Sequence, residues 1–446
     1  MKAAGSVYPL KCGAVMLACA MLSACDQGGH ATGPTVGPHP QLAAPGGSMI
    51  PIAHFPSVKP WPSGETPSAL PGFVVTRYAS GLNHPRWIYR LPNGDVLVAE
   101  SATEPRAPKS LMERVQFWLE RNSGAVMPSA NRITLLRDPD ARGVVRTRTT
   151  FLSGLHQPFG MLLVGSSFYV ANTDGVWRFP YRTGETNIAD RGQKILDLPV
   201  GGYNNHWTRN LVASEDGSTL FVTVGSGSNV GEHGVANEFH RADIIAFNPD
   251  GGDAHVFASG LRNPCGMAWE PRTHVLWTVV NERDMLGDDL VPDYLTRVRE
   301  GDFYGWPYSY WGPHLDPRVM PQRPDLVAKA IAPDYALGAH VAALGLVFYT
   351  ATAFPEHYRG GAFIGMHGSW NRSRFAGYKV VYVPFKDGMP SGMPEDFLTG
   401  FMHDPLDGIT YGRPVGVAID RTGAVLVADD AGDTIWRVAP RQAPLH

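Results

Sequence analysis

The sequence predicts an all-β fold, a six-bladed β-propeller of four-stranded antiparallel sheets, on three observations. A turn rich in Gly, Asn and Pro leads into a short apolar strand, a polar turn and a second apolar strand, and this unit recurs six times at spacings of roughly 50 to 80 residues. The strands of the repeats, such as "VLVAE", "FVTVG", "VLWTV" and "VLVAD", are continuous β-branched and apolar runs without alternation, as expected of sheets buried on both faces. The turns between them, "PNGD" and "EDGS", carry the residues that reverse a chain tightly. A β-sandwich would use similar strands but has no need of one unit repeated six times.

In chain order the repeats read "GLNHPRWIYRLPNGDVLVAE" from Gly81, "GLHQPFGMLLVGSSFYVAN" from Gly154 and "NHWTRNLVASEDGSTLFVTVG" from Asn205. They continue as "GLRNPCGMAWEPRTHVLWTVV" from Gly260, "ALGLVFYT" then "GGAFIGMHGSW" from Ala343, and "GRPVGVAIDRTGAVLVADD" from Gly412. One stretch departs from the strand pattern. In "KSLMERVQFWLERN", Leu111, Val115, Trp118 and Leu119 fall on one face at helical spacing, which predicts a helical insertion in the first blade packed against its outside.

The propeller is expected over residues 73–440, followed by a short tail, 441–446. Residues 25–72 are rich in Gly, Pro, Ala and Ser and read as a linker with little to bury. Residues 1–24 resemble a bacterial lipoprotein signal, with two lysines, an apolar stretch from Cys12 to Ala24 and a lipobox-like "LSAC" ending at Cys25. That resemblance implies export, cleavage before Cys25 and lipidation of its thiol, which places the chain on the periplasmic face of a membrane. Cleavage would remove Lys2 and Lys11, shifting the formal charge from −3 to −5, and would leave Cys265 without a disulfide partner. A near-neutral chain with no long basic run gives no support to nucleic-acid binding.

Several chemistries lack their motifs. No GxGxxG follows a strand and opens a helix, and CxxCH, GxSxG and HExxH are absent. What remains are polar residues at equivalent ends of the repeats, where a propeller converges on its axis: His84, Arg86, His206, Arg262 with Asn263, His367 with Asn371, and Arg413. In "NERDMLGDDLVPDYL", Glu282, Asp284, Asp288, Asp289 and Asp293 offer hard oxygen ligands and Gly287 lets the loop turn, a chemistry suited to calcium or equally to a solvated acidic loop. Arg262 beside Asn263 either clamps a planar anion or bridges two blades. His206 is either a general base or a structural imidazole.

Together these strings are similar to the soluble quinoprotein glucose and aldose sugar dehydrogenases, especially their L-sorbosone dehydrogenase branch. The resemblance rests on "QPFGMLLVGSSFYVANTDGVWRFPY", "LRNPCGMAWEP", "NERDMLGDDLVPDYLTRVREGDFYGWPY" and "FIGMHGSWNRSRFAGYKVVYVPF", together with the first and last repeats. It implies pyrroloquinoline quinone (PQQ) and Ca2+ at the top of a six-bladed propeller. By the same resemblance His206 is the catalytic base, and Arg262 and Asn263 contact the cofactor and share its developing charge. Trp370, Asn371 and Arg413 are further cofactor contacts, with Arg372 as a second late arginine, and the backbone carbonyls of Asp284 and Met285 hold calcium. Where those enzymes place an aspartate to orient the histidine, this chain has Ser226, so the orienting group is missing or is supplied by Glu232 or Glu238.

The implied reaction is oxidation of an aldose or sugar aldehyde, sorbosone-like, to the lactone or acid, with a periplasmic cytochrome or membrane quinone as electron acceptor. The alternatives are a calcium-dependent propeller lactonase or hydrolase, and a PQQ-binding propeller without turnover. Cys265 stands where the glucose enzymes carry a glutamine, and it is expected either to border the substrate pocket or to lie buried beneath the loop.

Overall fold

The computed structural model describes residues 31–46, 54–105, 126–201 and 203–441, and within 106–125 residues 114, 117, 118, 120, 121, 123 and 124. The signal-like segment and Cys25 lie outside the described residues. No helix among the described residues is long and apolar enough to cross a membrane.

Six sheets built on four antiparallel strands follow one another around an axis, and two of them carry a fifth short strand at the outer edge, Asp302–Phe303 (parallel) in the third blade and Ser68–Ala69 in the fifth. Their innermost strands are Pro85–Arg90, Met161–Val164, Leu211–Ala213, Asn263–Trp269, Ala343–Phe348 and Pro414–Ile419, each beside the next, with the last returning to the first. The sixth sheet closes the ring: Thr434–Pro440 from the chain's end pairs with Phe73–Ser80 from its beginning, in register from Phe73 opposite Pro440 to Ser80 opposite Thr434. The two ends of the propeller are thereby joined by backbone hydrogen bonds, which covers an edge that would otherwise be left unpaired.

The second strands of four blades, Val96–Glu100, Leu220–Val224, Ala362–Met366 and Val425–Asp429, are buried at every residue, because each face of a blade packs on a neighbouring blade. The core accordingly lies between blades. Trp277, Val279, Leu346 and Ile364 fill one such seam, and Phe363, Val380, Val425 and Trp436 fill the next.

The glycines of the repeats have a packing reason. A Cβ on Gly416 would sit 2.7 Å from the Arg86 carbonyl oxygen, one on Gly266 2.7 Å from the Leu346 nitrogen, and one on Gly160 2.6 Å from the Leu211 nitrogen. Only a residue without a side chain lets successive inner strands approach backbone to backbone at the crowded axis.

The described parts of the 25–72 segment lie along the propeller: Ser68–Ala69 adds a strand beside Glu395–Thr399, Ser57–Val58 pairs with Ile409–Thr410, and Phe55 stacks on Trp370 at 5.6 Å. Low apolar content did not prevent this, because backbone hydrogen bonds to exposed edges need no apolar side chains. Of the first-blade insertion, the ends that are described meet the axial face, where Trp207 Nε1 donates to Thr103 Oγ1 (2.8 Å) and Arg413 Nη2 donates to the Gly124 carbonyl (3.0 Å), while Trp118 is 62% exposed. Leu111, Val115 and Leu119 lie outside the described residues.

Candidate active site at the propeller axis

The residues just before the inner strands and just after the second strands gather at one end of the axis, in two groups. One group surrounds His206, the other Asp430.

His206 precedes the inner strand Leu211–Ala213, and Ser226 follows the second strand of the same blade. The imidazole Nδ1 lies 2.9 Å from both the Ser226 carbonyl oxygen and Ser226 Oγ. A carbonyl can only accept, and the Ser226 hydroxyl already donates to the Ser228 carbonyl at 2.7 Å. Nδ1 therefore carries the proton, and Nε2 holds the lone pair, with no hydrogen bond among the described residues. Burial, followed by the neighbouring Arg262 charge, lowers the His206 pKa to about 3, so the ring is neutral at working pH. The orienting group is thus Ser226 itself, largely through its backbone. Glu238 instead accepts from the Gly227 amide (2.7 Å) and the Ser228 hydroxyl (2.5 Å), and Glu232 accepts from the Val230 amide (2.8 Å).

Arg262 is buried and fully engaged by protein. Its Nε donates to the Asn229 carbonyl (3.1 Å), Nη1 to the carbonyls of Glu282 (2.5 Å) and Asn281 (3.4 Å), and Nη2 to Asn229 Oδ1 and Asp284 Oδ2 (both 2.9 Å). It ties two loops together beside His206. Asn263, next in sequence, keeps its Oδ1 buried and without a partner, against a glycine whose Cβ would also lie 2.5 Å from the His206 Cβ. Gly225 thus keeps open the space between the histidine and the asparagine.

Asp284 accepts from Arg262 and stands 3.3 Å from His340 Nδ1, and His340 Nε2 donates to the Gly287 carbonyl at 2.9 Å. Both partners of His340 are acceptors, so both of its nitrogens carry protons. Burial pulls its pKa down, but the Asp284 carboxylate outweighs burial and holds the pKa above the usual value.

The acidic loop does not form a carboxylate cage. Glu282 pairs with Arg283 (3.0 Å), Asp288 accepts from the Ser373 amide (3.0 Å), Asp289 pairs with Arg372 (2.9 Å), and Asp293 accepts from the amides of Glu282 (2.7 Å) and Ala342 (2.6 Å). Among the described residues no three His, Cys, Asp or Glu side chains gather as a metal set. Acidic density along the chain was a poor guide here, because the loop spreads its carboxylates to different partners. The Asp284 and Met285 carbonyls do converge, but on Arg318 Nη1, at 3.1 and 3.4 Å. A divalent ion does not fit this pair as it stands, since a cation already faces it and the Asp284 carboxylate is spoken for.

The second group centres on Asp430, fully buried at the end of the sixth blade's second strand. Arg86 Nη1 donates to its Oδ2, His84 and His367 bring Nε2 to 3.2 and 2.8 Å of that oxygen, and Arg413 Nε donates to Oδ1 at 2.9 Å. Burial alone would raise the carboxyl, but Arg413 and the histidines outweigh it and keep Asp430 ionised. Burial lowers the pKa of His84 and takes that of His367 down to about 4, so both rings are neutral. Two guanidiniums share the Asp430 carboxylate, and the Asp429 and Asp433 carboxyl groups border the cluster, accepting from the Arg413 amide at 2.8 Å and the His84 amide at 2.9 Å. Arg86 Nε and His84 Nδ1 are buried without a partner. Such groups cost about 1–3 kcal/mol each when left unpaired, so a polar ligand is the natural occupant.

Arg86 lies over the Trp207 ring at 5.5 Å, which joins this cluster to the His206 group. Asn371 Oδ1 accepts from the Met285 amide (2.8 Å), and Trp370 is covered by Phe55. Cys265 lies beneath the site, fully buried, with Sγ 3.6 Å from Thr208 Oγ1, and burial pushes its thiol up to about 11. Of its two expected placements, the structure shows the buried one. Asp430, His340 and Arg318 were missed from sequence. Asp430 sat inside the strand signature "VLVADD", and only its position at a strand end could have marked it.

The arrangement leaves one unpaired buried donor, Arg86 Nε, and two unpaired acceptors, Asn263 Oδ1 and the Nδ1 of neutral His84, whose Nε2 faces Asp430. A planar, oxygen-rich ligand that also carries an N–H, as PQQ does, has groups for both kinds.

Comparison with known proteins supports the propeller fold. A family model described as Glucose / Sorbosone dehydrogenase matches residues 172–369, and one described as TrAA12-like matches residues 325–441. The aldose sugar dehydrogenase YliI of Escherichia coli is 31% identical over 187 residues, covering 38% of this chain and 48% of that protein. An uncharacterized protein of Borreliella burgdorferi is 28% identical over 300 residues, 65% of this chain and 77% of that protein. Among solved structures, the holo pyranose dehydrogenase PQQ domain from Coprinopsis cinerea superposes with a TM-score of 0.67 at 20% identity, covering 86% of this chain and all of that one. A Trichoderma reesei protein of Carbohydrate-Active Enzymes Family AA12 gives 0.68 at 19% identity, over 88% of this chain and all of that one.

Proposed function

The chain has the propeller fold of PQQ-dependent sugar dehydrogenases, and from that premise we propose that it oxidises an aldose or sugar aldehyde, sorbosone-like, to the lactone or acid. The observation that carries this reading is a neutral imidazole, its tautomer fixed by Ser226, on the same axial face as a buried two-arginine cluster that keeps an unpaired guanidinium donor, Arg86 Nε. Arg86 Nε would donate to an oxygen of PQQ, while His84 Nδ1 and Asn263 Oδ1 could only accept from an N–H or O–H of the ligand. When bound, PQQ supplies the acceptor for hydride from the carbonyl-level carbon.

The residues of this chain do the rest. His206 Nε2 takes the proton of the substrate's hemiacetal or hydrate hydroxyl, and the Ser226 carbonyl keeps Nδ1–H in place and steadies the imidazolium as it forms. A carbonyl dipole stabilises that cation less than a carboxylate would, so Ser226 sets orientation more than charge. Arg262 fixes the loops that frame the histidine. Calcium has no part in this reading, because its expected carbonyls are already paired with Arg318. The two electrons leave to a periplasmic cytochrome or membrane quinone, and a lipid on Cys25 would hold the enzyme beside such an acceptor.

The test is reconstitution. Purified apoprotein is given PQQ and assayed for reduction of an artificial electron acceptor over a panel of aldoses and aldehydes. PQQ-dependent turnover is expected; turnover without PQQ refutes the reading, and PQQ binding without turnover on any substrate shows a binding propeller instead. The lactonase alternative loses its support with the dispersal of the acidic loop.

A further inference from the structure

The carbonyl pair at Asp284 and Met285 is a cation site that this chain fills from its own sequence. Met285 adopts φ 70°, a left-handed conformation uncommon outside glycine, and the two successive carbonyl oxygens lie within 3.4 Å of a single nitrogen, Arg318 Nη1. The guanidinium is held in place from behind. Arg318 Nε and Nη2 grip Asp316 in a two-point fork, at 2.9 Å to Oδ1 and 2.7 Å to Oδ2. Asp316 is itself fully buried and bound by Arg283 Nη1 at 2.8 Å, so the fork stands on a fixed base. Asn229 Nδ2 also donates to the Asp284 carbonyl, at 3.2 Å.

A calcium ion needs six to eight oxygen ligands, several of them usually anionic. Here the carbonyls are neutral, the Asp284 carboxylate is paired with Arg262 and His340, and the Asp316 carboxylate is paired with Arg283 and Arg318. With Arg318 in place a divalent ion finds two neutral oxygens already facing a cation and no free carboxylate; with Arg318 removed, Asp316 Oδ1 loses its guanidinium partner and Arg283 alone remains on that carboxylate.

We propose that Arg318 is a tethered cation that takes the place of a divalent metal at the Asp284–Met285 carbonyl pair, so that Ca2+ binds there only when Arg318 is removed. This concerns the chain's own loop and does not depend on the proposed oxidation. The guanidinium also fixes the 282–289 loop whose Asp284 side chain meets Arg262, so it acts as a positioning residue for the His206 group.

The test is metal binding by full-length protein stripped with chelator and free of PQQ. Ca2+ is titrated calorimetrically into wild type and Arg318→Met, and Tb3+ emission sensitised by Trp306, which donates to the Asn229 carbonyl beside this loop, reports where the ion sits. Wild type is expected to show no Tb3+ emission from this site, and Arg318→Met to gain Ca2+ affinity at least tenfold, with emission that Trp306→Phe abolishes. Equal Ca2+ affinity in the two proteins, or Trp306-dependent Tb3+ emission from wild type, overturns the proposal. Should Arg318→Met fail to fold, the wild-type titration decides alone: saturable Ca2+ binding accompanied by that emission refutes it, and its absence supports it. Because no PQQ or substrate is present, these outcomes are independent of reconstitution.

Discussion

The two halves of the axial face solve one problem in opposite ways. Around Asp430, two arginines and two histidines share one carboxylate. Around His206, Asp284 is shared by Arg262 and His340, and hydrogen bonds to backbone carbonyls do much of the holding. The first half depends on one residue to stay together. The second is built to hold one imidazole neutral and still, and it spreads that task over several loops.

The sharpest way to break this contrast is to remove His206. His206→Ala is expected to lower kcat by about 10³-fold, within the usual range for a lost general base, while PQQ still binds. Unchanged kcat in the reconstituted enzyme would show that the neutral imidazole is structural.

Next in size is a comparison of two carboxylates. Asp430→Asn leaves Arg86 and Arg413 buried without their counter-charge and is expected to cost about 3–5 kcal/mol in urea unfolding. Asp284→Asn should cost only about 1–2 kcal/mol, because Arg262 keeps its bonds to Asn229, Asn281 and Glu282. Equal losses in the two variants would remove the distinction between a single hub and a distributed one.

The smallest effect is one of protonation. His206, with its pKa lowered to about 3, should stay neutral from pH 5 to 8, whereas His340, with its pKa raised, should be an imidazolium below its shifted value. The signs differ accordingly. The stability linked to the neutral His206 is whole above the unfolded value near 6.5 and is lost as pH falls from there toward 3, while that of His340 is whole below 6.5 and is lost as pH rises through its raised pKa. Buried Asp293, raised to about 7, and Asp243, raised to about 8, oppose the His206 trend, being relieved as pH falls. Histidine ¹⁵N resonances are therefore the readout, rather than a global midpoint. Titration of His206 between pH 5 and 8 would contradict its assigned environment.

The strands and the blade count were legible because burial on both faces demands continuous apolar runs, and the turns carry Gly, Asn and Pro for steric reasons. His206, Arg262 and Asn263 were legible as polar residues at repeat ends. Their partners were less so. Ser226 orients His206 largely through a backbone carbonyl, which any residue could supply, and so leaves little trace in side-chain identity. The acidic loop misled because carboxylates adjacent in sequence can point to different partners, as Asp288 and Asp289 do. Where the 25–72 segment docks was not legible, because its docking uses backbone pairing at Ser57–Val58 and Ser68–Ala69.

By itself the sequence determined the repeat, its strand period and the ring of glycines at the axis, since these follow from local sterics and from which residues can be buried. Only the tertiary structure decided which charges meet. Asp430 and His84 are 346 residues apart and share a hydrogen bond because the sixth blade closes on the first. Arg318 reaches the Asp284 and Met285 carbonyls from 34 and 33 residues away. Electrostatic partnership depends on distance through space, and a propeller brings remote repeat ends to one axis without fixing their spacing along the chain.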